Sequence, residues 1–599
     1  MTYDLTPHRF HIPVMGIAFT IDTPIKVASY GITSALSIIE DNLIEMMRKH
    51  YYQENKETYV PIEKHEENYR VRRITDYLNL VNRNVQTKFD KLKDSAFEKG
   101  SEIVKYFEML PEESGLKEKY HQFQQAHGEA KAELETFLRK HIRPGGIEVN
   151  IMTKVDKNNK DKSGEILPEG SDALGALKAY AESNLENSAV IFSAGMNPRL
   201  FNYLENFRAF DAQAWGVFKK KVIIKVSDYR SALIQGKYLA KKGIWVSEFR
   251  IESGLNCGGH AFATQGYLLG PILAEFRNKK DELRNELFSL YNPAIKAKGE
   301  KGFEEPHPVN ITVQGGIGTA AEQKLLYGYY NVDGAGWGTP FLLCPEATTV
   351  DDNTLELLAK SKENDVVLSK ASPLGVRFNY LKGTTADKER QQRIDKGKPG
   401  SPCTEKYLVS NTEFTKEPIC TASRKYQKLK LEQLENAGLP ENEYQLQVDD
   451  LLSKECLCIG LSNSAGLNYK VPIVEKLDAV TICPGPNIVN FNKVASLQEM
   501  TDHIYGRKEF SQNEDRPHMF IKELQLYVDY LKEEVRNTFN PGPRDIKGWT
   551  GFCNNLLEGV SHYRDLLEKE LIKKKDAFEQ GLSKMEHAVL EIRTGLSNN

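Results

Sequence analysis

The sequence has little cysteine, almost no net charge and no long apolar run. Eight cysteines among 599 residues are too few for a disulfide scaffold. A reducing, cytoplasmic setting is therefore the expectation, and clustered cysteines read as ligands or reactive thiols. No run of about 18 apolar residues is present, which argues against a membrane-spanning helix. The first residues, MTYDLTPHRFHIPVMG, carry no basic segment followed by an apolar one, so no secretory leader is expected. Lys plus Arg is 80 and Asp plus Glu is 83, a formal net charge of −3. Bulk charge thus argues against a nucleic-acid partner. No self-similarity at solenoid spacing is evident.

What is present is a recurring strand–helix rhythm. The apolar run HIPVMGIAF is followed by Thr23-Pro24, a helix start with Pro at the first helical position, and by Gly31 as its stop. A strand over 34–39 comes next. The rhythm returns over 147–155, 188–193, 221–226, 244–249, 310–313 and 334–338, with helical segments between these strands. Parallel strands each followed by a helix predict an α/β fold, a (β/α)8 TIM barrel. The division expected is 1–41 as the start of the barrel, 42–145 as a helical insertion and 146–382 as the rest of the barrel. A cysteine-containing insertion over 383–490 follows, then a C-terminal helical extension over 491–599. Within the first insertion, 117–139 consists almost entirely of helix-forming residues.

Two glycine turns stand out. Gly315, Gly316 and Gly318 end one strand just before a helix, and Gly336, Gly338 and Thr339 end the next strand. Glycines let a backbone approach an anion, and the following helix N-terminus offers free N–H donors. Adjacent turns of this kind, after strands 7 and 8 of a barrel, predict a phosphate cradle. A third turn, Asn256-Cys257-Gly258-Gly259-His260, ends an earlier strand. His260 there would act as a general acid or base, with Cys257 as a candidate reactive thiol. Lys225, near the end of KVIIKV, is costly to bury unpaired and is expected to have an anionic partner, which makes it a candidate cofactor-binding residue. Cys403, Cys420, Cys456 and Cys458 are a candidate set of four thiolates for an iron–sulfur cluster or zinc, with a [4Fe–4S] cluster favoured.

These pieces together resemble the nitronate monooxygenase (2-nitropropane dioxygenase) family of FMN-dependent barrels, which includes flavin enoyl-acyl-carrier-protein reductases. The resemblance rests on IPVMGIAF, NCGGHAF, TVQGGIGTAAE, VDGAGWGTPFLLCPEA and ASPLGVRF. It implies FMN phosphate at Gly315, Gly316, Gly336, Gly338 and Thr339. It also implies approach of Met15 and Gly16 to the flavin ring, and His260 as the catalytic histidine. The first strand and the histidine turn depart from the family pattern, and the insertions have no counterpart in compact members. The function implied is an FMN-dependent oxidoreductase acting on a small molecule. One form oxidises a nitronate-like carbanion with O2; the other reduces an activated C=C or a quinone with NAD(P)H. A reading from another class is an FMN-binding scaffold without turnover, docking a partner or a second copy through the helical insertion and tail.

Overall fold

The computed structural model describes residues 7–153, 155–160, 163–193, 195–261, 264–474, 476–511 and 515–597. Phe262, the end of the NCGGHAF segment, lies outside them.

Eight strands close into a parallel barrel in chain order: β1 (Phe10–Ile12), β2 (Thr33–Ser37), β3 (Ile147–Ile151), β4 (Ser188–Phe192), β5 (Lys220–Val226), β6 (Val246–Glu252), β7 (Asn310–Gln314) and β8 (Gly334–Gly336). Closure is made by β1 against β8, with Phe10 opposite Ala335. The (β/α)8 expectation is met. Between β1 and β2, Pro24 opens the short helix Thr23–Val27. Gly31, at φ +82°, ends the single turn after it in the left-handed region that only glycine adopts freely.

The first strand is shorter than its apolar run. The chain leaves β-structure at Pro13, and residues 14–21 form buried turns over the barrel mouth. Five helices separate β2 from β3: Asp41–Glu54, Tyr69–Asp94, Glu102–Met109, Gly115–Gln125 and Gly128–His141. The helix-forming stretch 117–139 makes parts of two helices, which meet where Ala126 is extended and Gly128 takes φ +59°. The insertion is not a detached lid. Ile74, Tyr77, Leu78 and Val81 belong to the barrel's own core, and the Tyr77 hydroxyl donates to the Ile21 carbonyl at 2.9 Å. A second small core around Ile103, Phe107, Tyr120 and Leu138 holds its outer helices together.

After β8 an antiparallel pair, Val366–Ser369 with Phe378–Leu381, lies over the mouth. The cysteine-containing segment follows, and then the long helices Met519–Asn537, Pro543–Glu568 and Lys575–Ser597. Among the described residues no helix is long and apolar enough to cross a membrane.

The barrel interior is charged at its centre. Arg250 makes a bidentate pair with Glu148 at 2.8 and 2.9 Å and donates to Glu248 at 2.8 Å. The Thr312 hydroxyl donates to Glu248 at 2.5 Å. His11 lies beside this group, and burial drives its pKa down to about 3, so it stays neutral. The pairing answers the cost of burying each charge.

Candidate active site

The carboxyl ends of the strands open into a cavity of about 150 Å³, at the rim where barrel enzymes place their sites. Val14 and Gly16 reach it from the turn after β1, Ser37 from β2, Asn150 from β3, Lys225 from β5 and Glu252 from β6. The turn Asn256–His260 forms one wall, and Phe378, Tyr407, Leu457 and Leu461 close the outside. The walls are thus largely apolar, with polar groups at strand ends.

Two of those polar groups lack partners. Ser37 Oγ and Asn150 Oδ1 are buried and make no hydrogen bond. Buried polar atoms normally do, so both atoms point to a polar ligand in the cavity. Lys225 has the anionic partner expected of it, but from the chain itself: its Nζ donates to Glu252 Oε1 at 3.0 Å. Gln314 Nε2 donates to the same oxygen at 2.5 Å.

The histidine turn is fixed from behind. Asn379 donates from its backbone to the Gly259 carbonyl at 2.9 Å and from Nδ2 to Asn256 Oδ1 at 2.7 Å. Asn256 Nδ2 in turn donates to the His260 carbonyl at 2.5 Å. His260 Nε2 lies 2.7 Å from Ser372 Oγ, and Phe378 meets the imidazole edge-on. Gly258, at φ +129°, leaves no room for a side chain, because a Cβ there would strike the Cys483 carbonyl. Gly259, at φ +79°, faces open space. Cys483 lines the cavity beside this turn, with its carbonyl against Gly258.

Two expectations for this region are corrected. Cys257 is not a reactive thiol: burial pushes its pKa to about 12, which keeps it protonated at neutral pH. Its sulfur packs where a Cβ on Gly338 would fall, at 2.6 Å. Met15 turns into the core, 2 % exposed, and its neighbours Val14 and Gly16 line the cavity instead.

The glycine turns after β7 and β8 do lie side by side, since Gln314 pairs with Gly336. They are nonetheless not part of the cavity wall, and the chain's own atoms fill the space beside them. A Cβ on Gly316 would meet Leu255 at 2.7 Å, one on Gly318 the Arg516 guanidinium at 2.6 Å, and one on Gly336 Gln314 at 2.5 Å. Gly315 is pressed against the Leu255 carbonyl. The donors are taken as well. Glu322 accepts from Gly318 N at 2.9 Å and Thr319 N at 3.2 Å, and pairs with Arg516 at 2.6 Å. The Thr339 hydroxyl accepts from Gly485 N at 3.0 Å. The helix N-terminus thus carries its anion already, the carboxylate of its own third residue. These glycines admit neighbouring protein segments, and the phosphate cradle expected of them is closed. For a flavin, then, the ring end of the site fits and the phosphate end does not.

The four cysteines expected as ligands gather beside the mouth. Cys403, Cys420, Cys456 and Cys458 all line one small cavity, although no group of three or more His, Cys, Asp or Glu among the described residues stands where it could hold a metal ion. Cys344 and Cys553 are fully buried packing residues.

Ser37, Asn150, Ser372 and Cys483 were not expected at the site. Ser37 and Asn150 are signalled faintly, as polar residues near the ends of the strands TSALS and IEVNI. Nothing local marks the other two.

No protein-family model matches the chain, and no curated protein does. Among solved structures, similarity is found to the enoyl reductase domain of MlnA from the macrolactin biosynthesis cluster of Bacillus amyloliquefaciens. The identity is 13%, covering 70% of this chain and 89% of that one, with a TM-score of 0.32. A second similarity is to nitroalkane oxidase from Streptomyces ansochromogenes. There the identity is 11%, covering 84% of this chain and 96% of that one, with a TM-score of 0.33.

Proposed function

We propose that the protein is an oxidoreductase that holds a flavin ring in the mouth cavity, with His260 as its proton-transfer group. The observation that carries this reading is the pair of unpartnered atoms, Ser37 Oγ and Asn150 Oδ1, on the wall of a largely apolar cavity. A planar heteroaromatic ring with polar edges satisfies both requirements at once. A bound flavin would supply the electron transfer, while the chain's own groups hold the ring, exclude water and move the proton.

His260 is positioned to move a proton. Its ring is anchored by Ser372 at Nε2 and by the hydrogen bonds that brace its turn, so the imidazole faces the cavity in one orientation. Lys225 and Glu252 compensate each other, and together they give one wall a dipole without net charge. Phe378, Leu457 and Leu461 exclude water from the opposite side, which strengthens every hydrogen bond inside.

The test is the visible spectrum of the full chain purified without oxygen, followed by release and identification of any bound flavin. A yellow protein that yields flavin on denaturation is expected. A folded, colourless protein that takes up neither FMN nor riboflavin contradicts the reading. Direction is then settled by comparing aerobic turnover of a nitronate with anaerobic NAD(P)H oxidation by an enoyl thioester or a quinone.

A further inference from the structure

We infer that Cys403, Cys420, Cys456 and Cys458 bind an iron–sulfur cluster of the [4Fe–4S] class, against the outer wall of the mouth cavity.

The four cysteines come from three separate stretches of chain, yet all line one small cavity. They stand as two pairs, Cys403 beside Cys420 and Cys456 beside Cys458. The pairs lie near enough for Cys456 to act electrostatically on Cys420, and Cys420 on Cys458.

Four thiolates together would repel one another without a cationic centre, and the neighbouring Lys406 is offset by Glu405 in the same turn. A metal centre supplies that charge, and the four thiol protons leave to solvent when it loads.

The four cysteines line one cavity, and no three such residues among the described ones are gathered as the ligands of a single ion are. A polynuclear cluster, which takes one thiolate at each corner, fits this disposition better than a single tetrahedral zinc.

The placement has a consequence for the mouth cavity. Leu408, Leu457 and Cys458 line both cavities. Cys458 is thus a ligand on one side and a wall of the proposed flavin pocket on the other.

Iron, zinc and acid-labile sulfide are measured on the anaerobically prepared full chain, before and after reconstitution with ferrous iron and sulfide. About four iron and four sulfide per chain are expected, with broad visible absorption bleached by dithionite and a paramagnetic signal in the reduced protein. Cys458→Ser and Cys403→Ser should lose most of the iron and keep the wild-type circular dichroism, whereas Cys344→Ala should retain it. Three results overturn the inference: about one zinc per chain with no iron; a chain that stays iron-free on reconstitution; or Cys403–Cys420 and Cys456–Cys458 disulfides in the native protein. The iron measurement decides the matter on wild type even where a variant fails to fold. It is independent of flavin content, so failure here leaves the flavin reading standing, and the reverse holds too.

Discussion

The ring of His260 and the hydroxyl of Ser372 meet across 112 residues of chain, with Nε2 at 2.7 Å from Oγ. That contact joins the turn after β6 to the segment leading into the antiparallel pair over the mouth. It makes His260 the only expected catalytic residue whose side chain is both on the cavity wall and externally oriented. Replacing His260 with Ala is expected to lower turnover by about 100- to 10,000-fold, the range for loss of a general acid or base, with bound flavin unchanged. Ser372→Ala leaves the imidazole in place but unanchored. A smaller loss and a displaced pH–rate profile are expected, measured under steady state.

Gly318 distinguishes a closed glycine turn from a phosphate cradle. In the structure its open side is taken by Arg516. Gly318→Ala is therefore expected to lower stability by roughly 1–3 kcal/mol through overpacking, with flavin content unchanged. Chemical denaturation and flavin release measure both. A variant of unaltered stability that had lost its flavin would restore the phosphate cradle.

Arg250 is the sole cation between Glu148 and Glu248 in the described barrel interior. Arg250→Met strips the positive charge and leaves two buried carboxylates. Loss of a partner from a buried pair costs about 3–5 kcal/mol, so a marked drop in the unfolding midpoint is expected. An unchanged midpoint would contradict the interior network.

Glu523, buried under the C-terminal helices, has its pKa raised to about 7 by burial. The native carboxyl keeps its proton where the unfolded chain has lost it. Stability therefore falls as pH rises from the ordinary glutamate value through 7. Buried Glu40, also raised to about 7, adds a slope of the same sign. Glu523→Gln retains an acceptor for Leu269 N, which now donates to it at 2.9 Å. It is expected to match wild type near pH 5 and exceed its stability near pH 8, with a shallower slope. Denaturation series across this window test it.

The barrel was legible because its signal is local and repeated. Runs such as SAVIF and KVIIKV are apolar on both faces, as parallel strands covered by helices require, and Pro24 and Gly31 punctuate the first crossover. The charged interior was legible in principle: Glu248, Arg250 and Glu252 alternate along β6, so one face of that strand carries all three. The phosphate cradle misled because glycine marks close approach without saying what approaches. Here it is Leu255 and Arg516, and a segment some 200 residues away in sequence cannot be seen from the turn. Ser372 and Cys483 were invisible for the same reason, since their roles arise from tertiary placement alone. The convergence of the four cysteines was open to suspicion from residue type.

The mouth cavity is the proposed ligand site, and a fluorescence titration of flavin-free protein tests that assignment most directly. FMN and riboflavin are titrated into wild type, Ser37→Val, Asn150→Leu and Gly318→Ala. Removal of either unpartnered atom is expected to weaken binding at least about tenfold, a difference of about 1.4 kcal/mol, while Gly318→Ala binds as wild type does. Undiminished binding in Ser37→Val and Asn150→Leu, with loss in Gly318→Ala, would contradict it.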